Sequence, residues 1–217
     1  LKVGRSAYGA RAAASHTASI TGSAAVNSTA LAQLGVIEVD DLDELVDTAW
    51  LLARQKPGAV DAVAVYCSSG GAAALTADHI GQQGVTLTTF RPETTQALAS
   101  QFPAYAAVGN PVDTTTAVLS QKGLFDSTLL AVCQDPGVAL TVLPVAIDYG
   151  SVTVETAEAV VRVQARSPVP ILPIWMSDRC GEGFDIYARA GIVPARSVGK
   201  AVKAIRRWLD HGRRLQR

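Results

Sequence analysis

Short aliphatic runs alternate with longer amphipathic segments along almost the whole chain, and this alternation limits the fold more than any other feature. Runs such as "DAVAVYC" and "ALTVLPVAI" are apolar at successive positions, which is typical of strands covered by helices on both faces. Since a helical pattern follows almost every such run, neighbouring strands are expected to be parallel. The sequence therefore predicts an α/β fold with doubly wound, mainly parallel sheets.

The same periodicity gives approximate bounds for each element. The predicted strands are residues 1–3, 36–39, 62–67, 86–90, 139–144, 169–172 and 192–193. The predicted helices are residues 23–34, 42–54, 72–83, 92–101, 123–133, 153–165, 184–190 and 197–214.

A polar proline-glycine hinge, "RQKPGAV", interrupts this series at residues 54–60. We place a domain boundary near Lys56, which divides the chain into residues 1–55 and 56–217. The first unit is small for a hydrophobic core of its own, and the chain starts at Leu1 inside a predicted strand. We therefore expect residues 1–55 to be the last part of a longer domain.

The composition argues against several classes of partner. Lysine and arginine number 19 and so do aspartate and glutamate, which leaves no overall field to attract nucleic acid or an anionic membrane. The basic C-terminal stretch keeps its apolar residues at helical spacing, so we expect a docked helix with a solvated face rather than a nucleic-acid patch. No apolar run approaches the roughly 20 residues of a membrane-spanning helix.

The three cysteines, Cys67, Cys133 and Cys180, are odd in number and fit no CxxC spacing. This pattern argues against a disulfide framework and against a zinc site. We therefore expect a reducing, cytoplasmic setting and no metal ligands in this chain.

One histidine lies within small side chains in "GRSAYGARAAASHTASITG", residues 4–22. Between a predicted strand and a predicted helix, this segment is longer than the usual connection of about 4–6 residues. The interpretation is a mobile loop that presents His16 as a nucleophile. The alternative is that His16 only caps or fills a turn, and composition does not decide between the two.

A second segment, "YCSSGGAAALTADHI", joins a buried strand directly to a helix. Glycines at its turn leave backbone N–H groups unobstructed, and a helix N-terminus carries roughly half a positive charge. We therefore predict an anion cradle at Ser69, Gly70 and Gly71, with a plain tight turn as the alternative. It is neither a Walker A nor a GxGxxG sequence, and a hydrolase nucleophile at Ser69 is disfavoured because Cys67 stands where that motif has glycine.

A third punctuated segment, "VGNPVDTTT", places Asn110 and Asp113 around a proline. Proline restricts the backbone before it, and asparagine and aspartate commonly bond to their own turns. These two residues are candidates for supporting the neighbouring loops, or they satisfy only their own turn.

Taken together, these segments resemble the NDP-forming acyl-CoA synthetases, relatives of succinyl-CoA synthetase and of ADP-forming acetate-CoA ligase. The resemblance covers essentially the whole chain and is carried, in order, by "KVGRSAYGARAAASHTASITGS", "GVIEVDDLDELVDTA", "SSGGAAALTADHIGQQGV", "PAYAAVGNPVD" and "YARAGIVPARSVGKAVKAI". It implies two flavodoxin-like units: residues 1–55 as the C-terminal part of the phosphohistidine-bearing domain, and residues 56–217 as a second succinyl-CoA ligase domain.

The resemblance implies that His16 is phosphorylated transiently and relays a phosphoryl group between acyl phosphate and ADP. Ser15 and Thr17 would bond phosphate oxygens, and the helix that begins near Gly70 would stabilise the group together with Ser69 and Gly71. CoA and ATP or ADP with Mg²⁺ are then substrates of the complete enzyme, and none is expected to be held tightly by this chain.

By the same resemblance, the partners are a CoA-binding domain and an ATP-grasp domain, in the same chain or another subunit, and a small carboxylic acid. One departure is Ala18, where the family usually has glycine, and alanine there is expected to stiffen the loop. The alternative function is a non-catalytic ligand-binding or regulatory module of an acyltransferase-type fusion. The choice of acid, the choice between ADP and GDP, and a homo-oligomeric state stay open at this point.

Overall fold

The structure, a computed structural model, describes residues 1–17, 22–115, 118 and 123–216, and of Thr17 it describes the backbone only. Within these ranges a five-stranded sheet forms the centre of the molecule. Its strands are β1 (Ala62–Cys67), β2 (Thr86–Leu87), β3 (Val112–Asp113), β4 (Leu140–Val145) and β5 (Ile171–Trp175). Every pair of named strands is parallel, which confirms the predicted fold class.

Helices connect these strands and cover them. They are α1 (Ala7–Thr17), α2 (Ala24–Gln33), α3 (Leu42–Arg54), α4 (Gly70–Gln82), α5 (Pro92–Ala99), α6 (Leu124–Cys133), α7 (Ser151–Gln164), α8 (Glu182–Arg189) and α9 (Val198–Leu215). None of the helices in the described ranges has the length and apolar character needed to cross a bilayer.

The strand order is β2-β1-β4-β5, and β3 pairs with the C-terminal half of β1 on the β2 side. The chain therefore builds outward from β1 on one side, through β2 and β3, and then crosses to β4 on the other side. In open parallel sheets, such a reversal leaves a crevice between the carboxyl ends of the two central strands, where ligands bind. Here that crevice lies between β1 and β4.

Helix α3 packs on α9, and both contribute to the core beneath the sheet. Leu51 is fully buried, and the indole N–H of Trp50 donates to the carbonyl of Gly191 at 2.9 Å. The indole N–H of Trp208 on α9 donates to the carbonyl of Gln55 at 2.9 Å. The chain around Lys56 is thus held against the second half of the molecule, and the domain boundary near Lys56 stays a prediction.

Three predicted strands are wrong. Residues 1–3 and 36–39 are irregular, because no other segment in the described ranges pairs with them, and Val3 is 70% exposed. Residues 192–193 are also irregular, although Ile192 is buried, and the only pairing nearby is an isolated bridge between Ile174 and Ala195. An aliphatic run indicates burial, but a strand also needs a partner.

The predicted loop at residues 4–22 is also wrong over most of its described part, because residues 7–17 form helix α1. The alanines that suggested a loop without anchors have the highest intrinsic helix propensity of any residue. Neither α1 nor the next helix, α2, has a buried residue among those described. This N-terminal segment therefore contributes little to the core.

Candidate functional site

The crevice at the carboxyl ends of β1 and β4 contains a cavity of about 470 Å³. One wall follows β1, from Tyr66 to Ser69, and the other follows β4, from Leu143 to Ile147. Residues of α6 and α7 close the remaining sides. The predicted segment at Ser69 is thus one edge of a cavity rather than an isolated turn.

Helix α4 begins directly after this edge. Ser69 adopts an extended backbone and caps the helix, because its Oγ accepts from the N–H of Ala72 at 3.4 Å. The N–H of Ser69 itself donates to the Sγ of Cys67 at 3.3 Å. The N–H groups of Gly70 and Gly71 have no hydrogen-bond acceptor among the described residues, and both glycines are exposed. The helix therefore opens with two free donors.

Asp113 lies against the same turn. A methyl group built on Gly70 would come 2.7 Å from the Oδ2 of Asp113, whereas one built on Gly71 would meet nothing within 4 Å. The other oxygen, Oδ1, accepts from the N–H of Thr115 at 3.0 Å, and Thr115 has a φ of 53°. Since like charges repel, an anion at this helix end is expected on the Gly71 side, away from Asp113.

The side chain of Asn110 bonds to three backbone groups, two on β1 and one directly after β2. Its Nδ2 donates to the carbonyls of Val63 at 2.9 Å and Thr88 at 3.0 Å, and its Oδ1 accepts from the N–H of Val65 at 3.0 Å. The Asn110–Pro111 peptide bond is cis. Strand β1 pairs with β2 at one end and with β3 at the other, and the side chain of Asn110 hydrogen-bonds to the backbone of β1 between these two pairings.

The structure places His16 in the last turn of α1, where its side chain is exposed. Its neighbour Ser15 donates its hydroxyl to the carbonyl of Ala12 at 2.8 Å, within the same helix. The side chain of Thr17 and all of Ala18 lie outside the described residues. Among the described residues, no hydrogen bond or ion pair joins His16 to the Ser69 turn.

Burial, opposed by the hydrogen bond from the Ser69 N–H and assisted by the nearby carboxylate of Asp113, raises the pKa of the Cys67 thiol to about 11. The thiol is therefore neutral near pH 7, and a neutral buried thiol is a poor nucleophile. It accepts from Ser69 and donates to the carbonyl of Pro144 at 3.5 Å, so it braces the crevice between β1 and β4.

Sequence reasoning missed the cavity residues outside the Ser69 turn. Phe125 on α6 and Ile147, Tyr149 and Val152 around the start of α7 line the cavity with Tyr66. The run after β4, "PVAIDYG", is the only signal in the sequence, since its apolar residues continue past the end of the strand. Their position beside β1 depends on the strand order, which no local pattern contains.

Two family models match the chain. Residues 1–52 match the succinyl-CoA ligase like flavodoxin domain, and residues 63–168 match the ligase-CoA domain. The sequence is 34% identical over 188 residues to the alpha subunit of ADP-forming acetate-CoA ligase II of Pyrococcus furiosus, a match that covers 84% of this chain and 40% of that subunit. It is 33% identical over 137 residues to a trans-feruloyl-CoA synthase of an unknown prokaryote, covering 62% of this chain and 19% of that protein.

Solved structures share the fold. The dinucleotide-forming acetyl-coenzyme A synthetase 1 of Ca. Korarchaeum cryptofilum, in complex with phosphate and ADP, superposes with a TM-score of 0.81 at 24% identity over 98% of this chain and 46% of that one. A protein of Pyrococcus horikoshii OT3 superposes with a TM-score of 0.78 at 24% identity, covering 88% and 45%. The chain thus spans less than half the length of these relatives.

Proposed function

The chain belongs to the NDP-forming acyl-CoA synthetase family, and on that premise we propose that it relays a phosphoryl group between acyl phosphate and ADP through a phosphohistidine at His16. The observation that carries the proposal is the start of α4, where Gly70 and Gly71 keep two N–H groups free at the carboxyl end of a buried strand. Such a helix end attracts phosphate.

The chemistry requires an accessible imidazole. In the first step a neutral nitrogen of His16 attacks the phosphorus of acyl phosphate, a P–N bond forms, and the carboxylate leaves with the electron pair of the broken P–O bond. In the second step an oxygen of the ADP β-phosphate attacks the phosphorus, the P–N bond breaks, and His16 is regenerated as ATP forms. The exposure of His16 supports this role.

The two helix ends act differently on the phosphoryl group. His16 lies at the C-terminal end of α1, where the helix dipole disfavours negative charge, and Gly70 lies at the N-terminal end of α4, where the dipole favours it. A phosphoryl group carried by His16 to the start of α4 is therefore expected to be stabilised there more than at the end of its own helix. Ser69 is proposed as a further donor, and Ser15 and Thr17 as loop donors to phosphate oxygens once Ser15 leaves its bond to Ala12.

Other parts of the enzyme must supply the remaining substrates. We propose that a CoA-binding domain and an ATP-grasp domain, in the same chain or another subunit, bring CoA and ADP to His16, and that a small carboxylic acid is the remaining substrate. In the described ranges no three histidine, cysteine, aspartate or glutamate side chains form a metal-binding group. The residues present therefore do not fit a resident ion, and we propose that Mg²⁺ arrives with the nucleotide.

We also propose that the chain divides into residues 1–55 and 56–217, and that Asn110 and Asp113 support the loops. A cytoplasmic location and a homo-oligomeric state are further proposals. Asp113 and Asn110 contact or brace the Ser69 turn and β1, which supports their role. The two relatives are named as a subunit of an acetate-CoA ligase and as a trans-feruloyl-CoA synthase, which favours the enzyme over a non-catalytic regulatory module.

The test is transfer of radiolabel from acyl phosphate to the protein, completed with its CoA-binding and ATP-grasp domains. An acid-labile, base-stable label on wild type that disappears in His16→Ala supports the relay. A label that survives this substitution, or none in the completed wild type, contradicts it.

A further inference from the structure

We propose that the cavity between β1 and β4 binds the apolar part of a carboxylic acid bulkier than acetate, aromatic or branched in its acyl group. This inference rests on the proposed function, which supplies the carboxylate, and it adds the substrate class. It is carried by the position, walls, size and mouth of the cavity.

The position is that of a ligand site. The cavity lies where the strand order reverses, at the carboxyl ends of β1 and β4. Ser68 and Ser69 belong to its lining and directly precede α4, whose N–H groups are proposed to receive the phosphoryl group. A group held in the cavity is therefore beside the proposed relay.

The walls are aromatic and uncharged. Tyr66 is 1% exposed, and its ring stands edge-on to that of Phe125, with centroids 5.4 Å apart and an interplanar angle of 85°. Its hydroxyl bonds the Oγ1 of Thr128 at 2.7 Å, and because Thr128 donates to the carbonyl of Leu124 at 2.6 Å, Tyr66 is the donor. The phenol thus has no donor left for the cavity, and no residue in the described lining is charged.

The size excludes a good fit for acetate. A volume of about 470 Å³ lies within the range of about 300–1,000 Å³ that is typical of small-molecule sites. An acid as small as acetate would leave most of this space to water against apolar walls, which is unfavourable. A phenyl ring or a branched aliphatic chain would replace that water.

The mouth is polar and fixed. Ser68 is exposed there, and the loop before α7 is held by two bonds: the N–H of Tyr149 to the Oγ1 of Thr153 at 2.7 Å, and the N–H of Gly150 to the Oδ1 of Asp148 at 3.0 Å. Both α4 and α7 begin at this edge with N–H groups that have no acceptor among the described residues, which favour a negative charge. The carboxylates of Asp113 and Asp148 also lie at this edge, each bonded to a backbone N–H, so the anionic end of a ligand is expected on the Gly71 side. An uncharged interior with an anion-favouring mouth fits a ligand with one apolar end and one anionic end.

The test is direct binding of hydrocinnamate and acetate to the full chain, measured by titration calorimetry. Hydrocinnamate is expected to bind at least about tenfold more tightly than acetate, and more tightly than the neutral hydrocinnamamide. Val152→Phe on α7 fills the cavity and is expected to weaken hydrocinnamate binding about tenfold. Val154→Phe is the matched control, since Val154 is half-buried on the same helix but does not line the cavity, and it should bind as wild type does.

Equal affinity for hydrocinnamate and acetate, or unchanged binding in Val152→Phe, would overturn the proposal, and so would equal binding of the amide. If Val152→Phe proves unfolded by circular dichroism, Ala146→Leu supplies the same obstruction from the β4 side. His16→Ala should bind hydrocinnamate normally, because His16 does not line the cavity. Failure of the relay and failure of the cavity assignment are thus distinguishable.

Discussion

The carboxylate of Asp113 occupies the space that a side chain at Gly70 would need, with Oδ2 only 2.7 Å from the position of a methyl group there. The contact joins the start of α4 to β3, which pairs with the end of β1. Glycine at residue 70 therefore does two things: it leaves an N–H group open and it allows β3 to approach.

Gly70→Ala is expected to lower the free energy of unfolding by about 1–2 kcal/mol, because the carboxylate must move away from its bond to Thr115. Gly71→Ala is the matched control and should change stability by less than about 0.5 kcal/mol, since its methyl group meets nothing. Urea denaturation measures both. Asp113→Ala should remove most of the additional cost of Gly70→Ala, and equal stability of the two glycine variants would show that the contact is absent.

Asn110→Ala should destabilise the fold by about 3 kcal/mol, because it leaves the N–H of Val65 and the carbonyl of Thr88 without a partner, whereas the carbonyl of Val63 keeps its bond from the N–H of Thr88. Asn110→Asp has the same shape and keeps the acceptor for Val65, but it turns an oxygen toward the carbonyls of Val63 and Thr88. Thermal unfolding at pH 7 should therefore rank both variants well below wild type. Near-native melting of Asn110→Asp would contradict the assigned bonds.

Asp47 on α3 is a buried carboxyl, 5% exposed, whose Oδ2 has no hydrogen-bond partner among the described residues. Burial, with smaller contributions from Asp43, Asp41 and Glu44 and an opposing one from Lys200, raises its pKa to about 6. Between about pH 4 and pH 6 the folded state thus keeps a proton that the unfolded state has lost. This carboxyl therefore makes the protein less stable as the pH rises through that window.

Asp47→Asn should accordingly stabilise the protein at pH 7 by roughly 2 kcal/mol, and should have little effect below pH 4. Urea titrations of wild type and variant across this range give the difference directly. Asp78→Asn is the control, because Asp78 is exposed on α4 and its substitution removes a carboxylate that is not buried. A uniform effect of Asp47→Asn at all pH values would contradict the raised pKa.

Local patterns were sufficient for elements whose boundaries depend on nearby residues. The predicted helix at 42–54 and strand at 62–67 coincide with α3 and β1, because amphipathic spacing and a continuous apolar run determine them. The N-cap of α3 shows the same locality, since Asp41 accepts from the N–H of Glu44 at 3.0 Å. The predicted helix near 72–83 begins two residues earlier, at Gly70, where Ser69 caps it.

What the sequence could not give depends on contacts between distant segments. Residues 36–39 have the composition of a strand, but no segment in the part of the chain that the structure describes pairs with them. Residues 112–113 form β3 only because the end of β1 is available. The Ser69 turn was predicted as an anion site from its glycines, whereas the cavity beside it needs Phe125 and Val152 from two other helices. His16 was predicted on a loop, since small side chains suit both a loop and a helix and only the folded chain distinguishes them.

The most direct test of the account is the chemical fate of His16. The completed enzyme is incubated with radiolabelled acyl phosphate, and peptide mapping locates the label before ADP is added. We expect an acid-labile, base-stable label on the peptide that contains His16, its loss in His16→Ala, and its transfer to nucleotide when ADP is supplied. A label on any other residue, or turnover that continues in His16→Ala, would contradict the account.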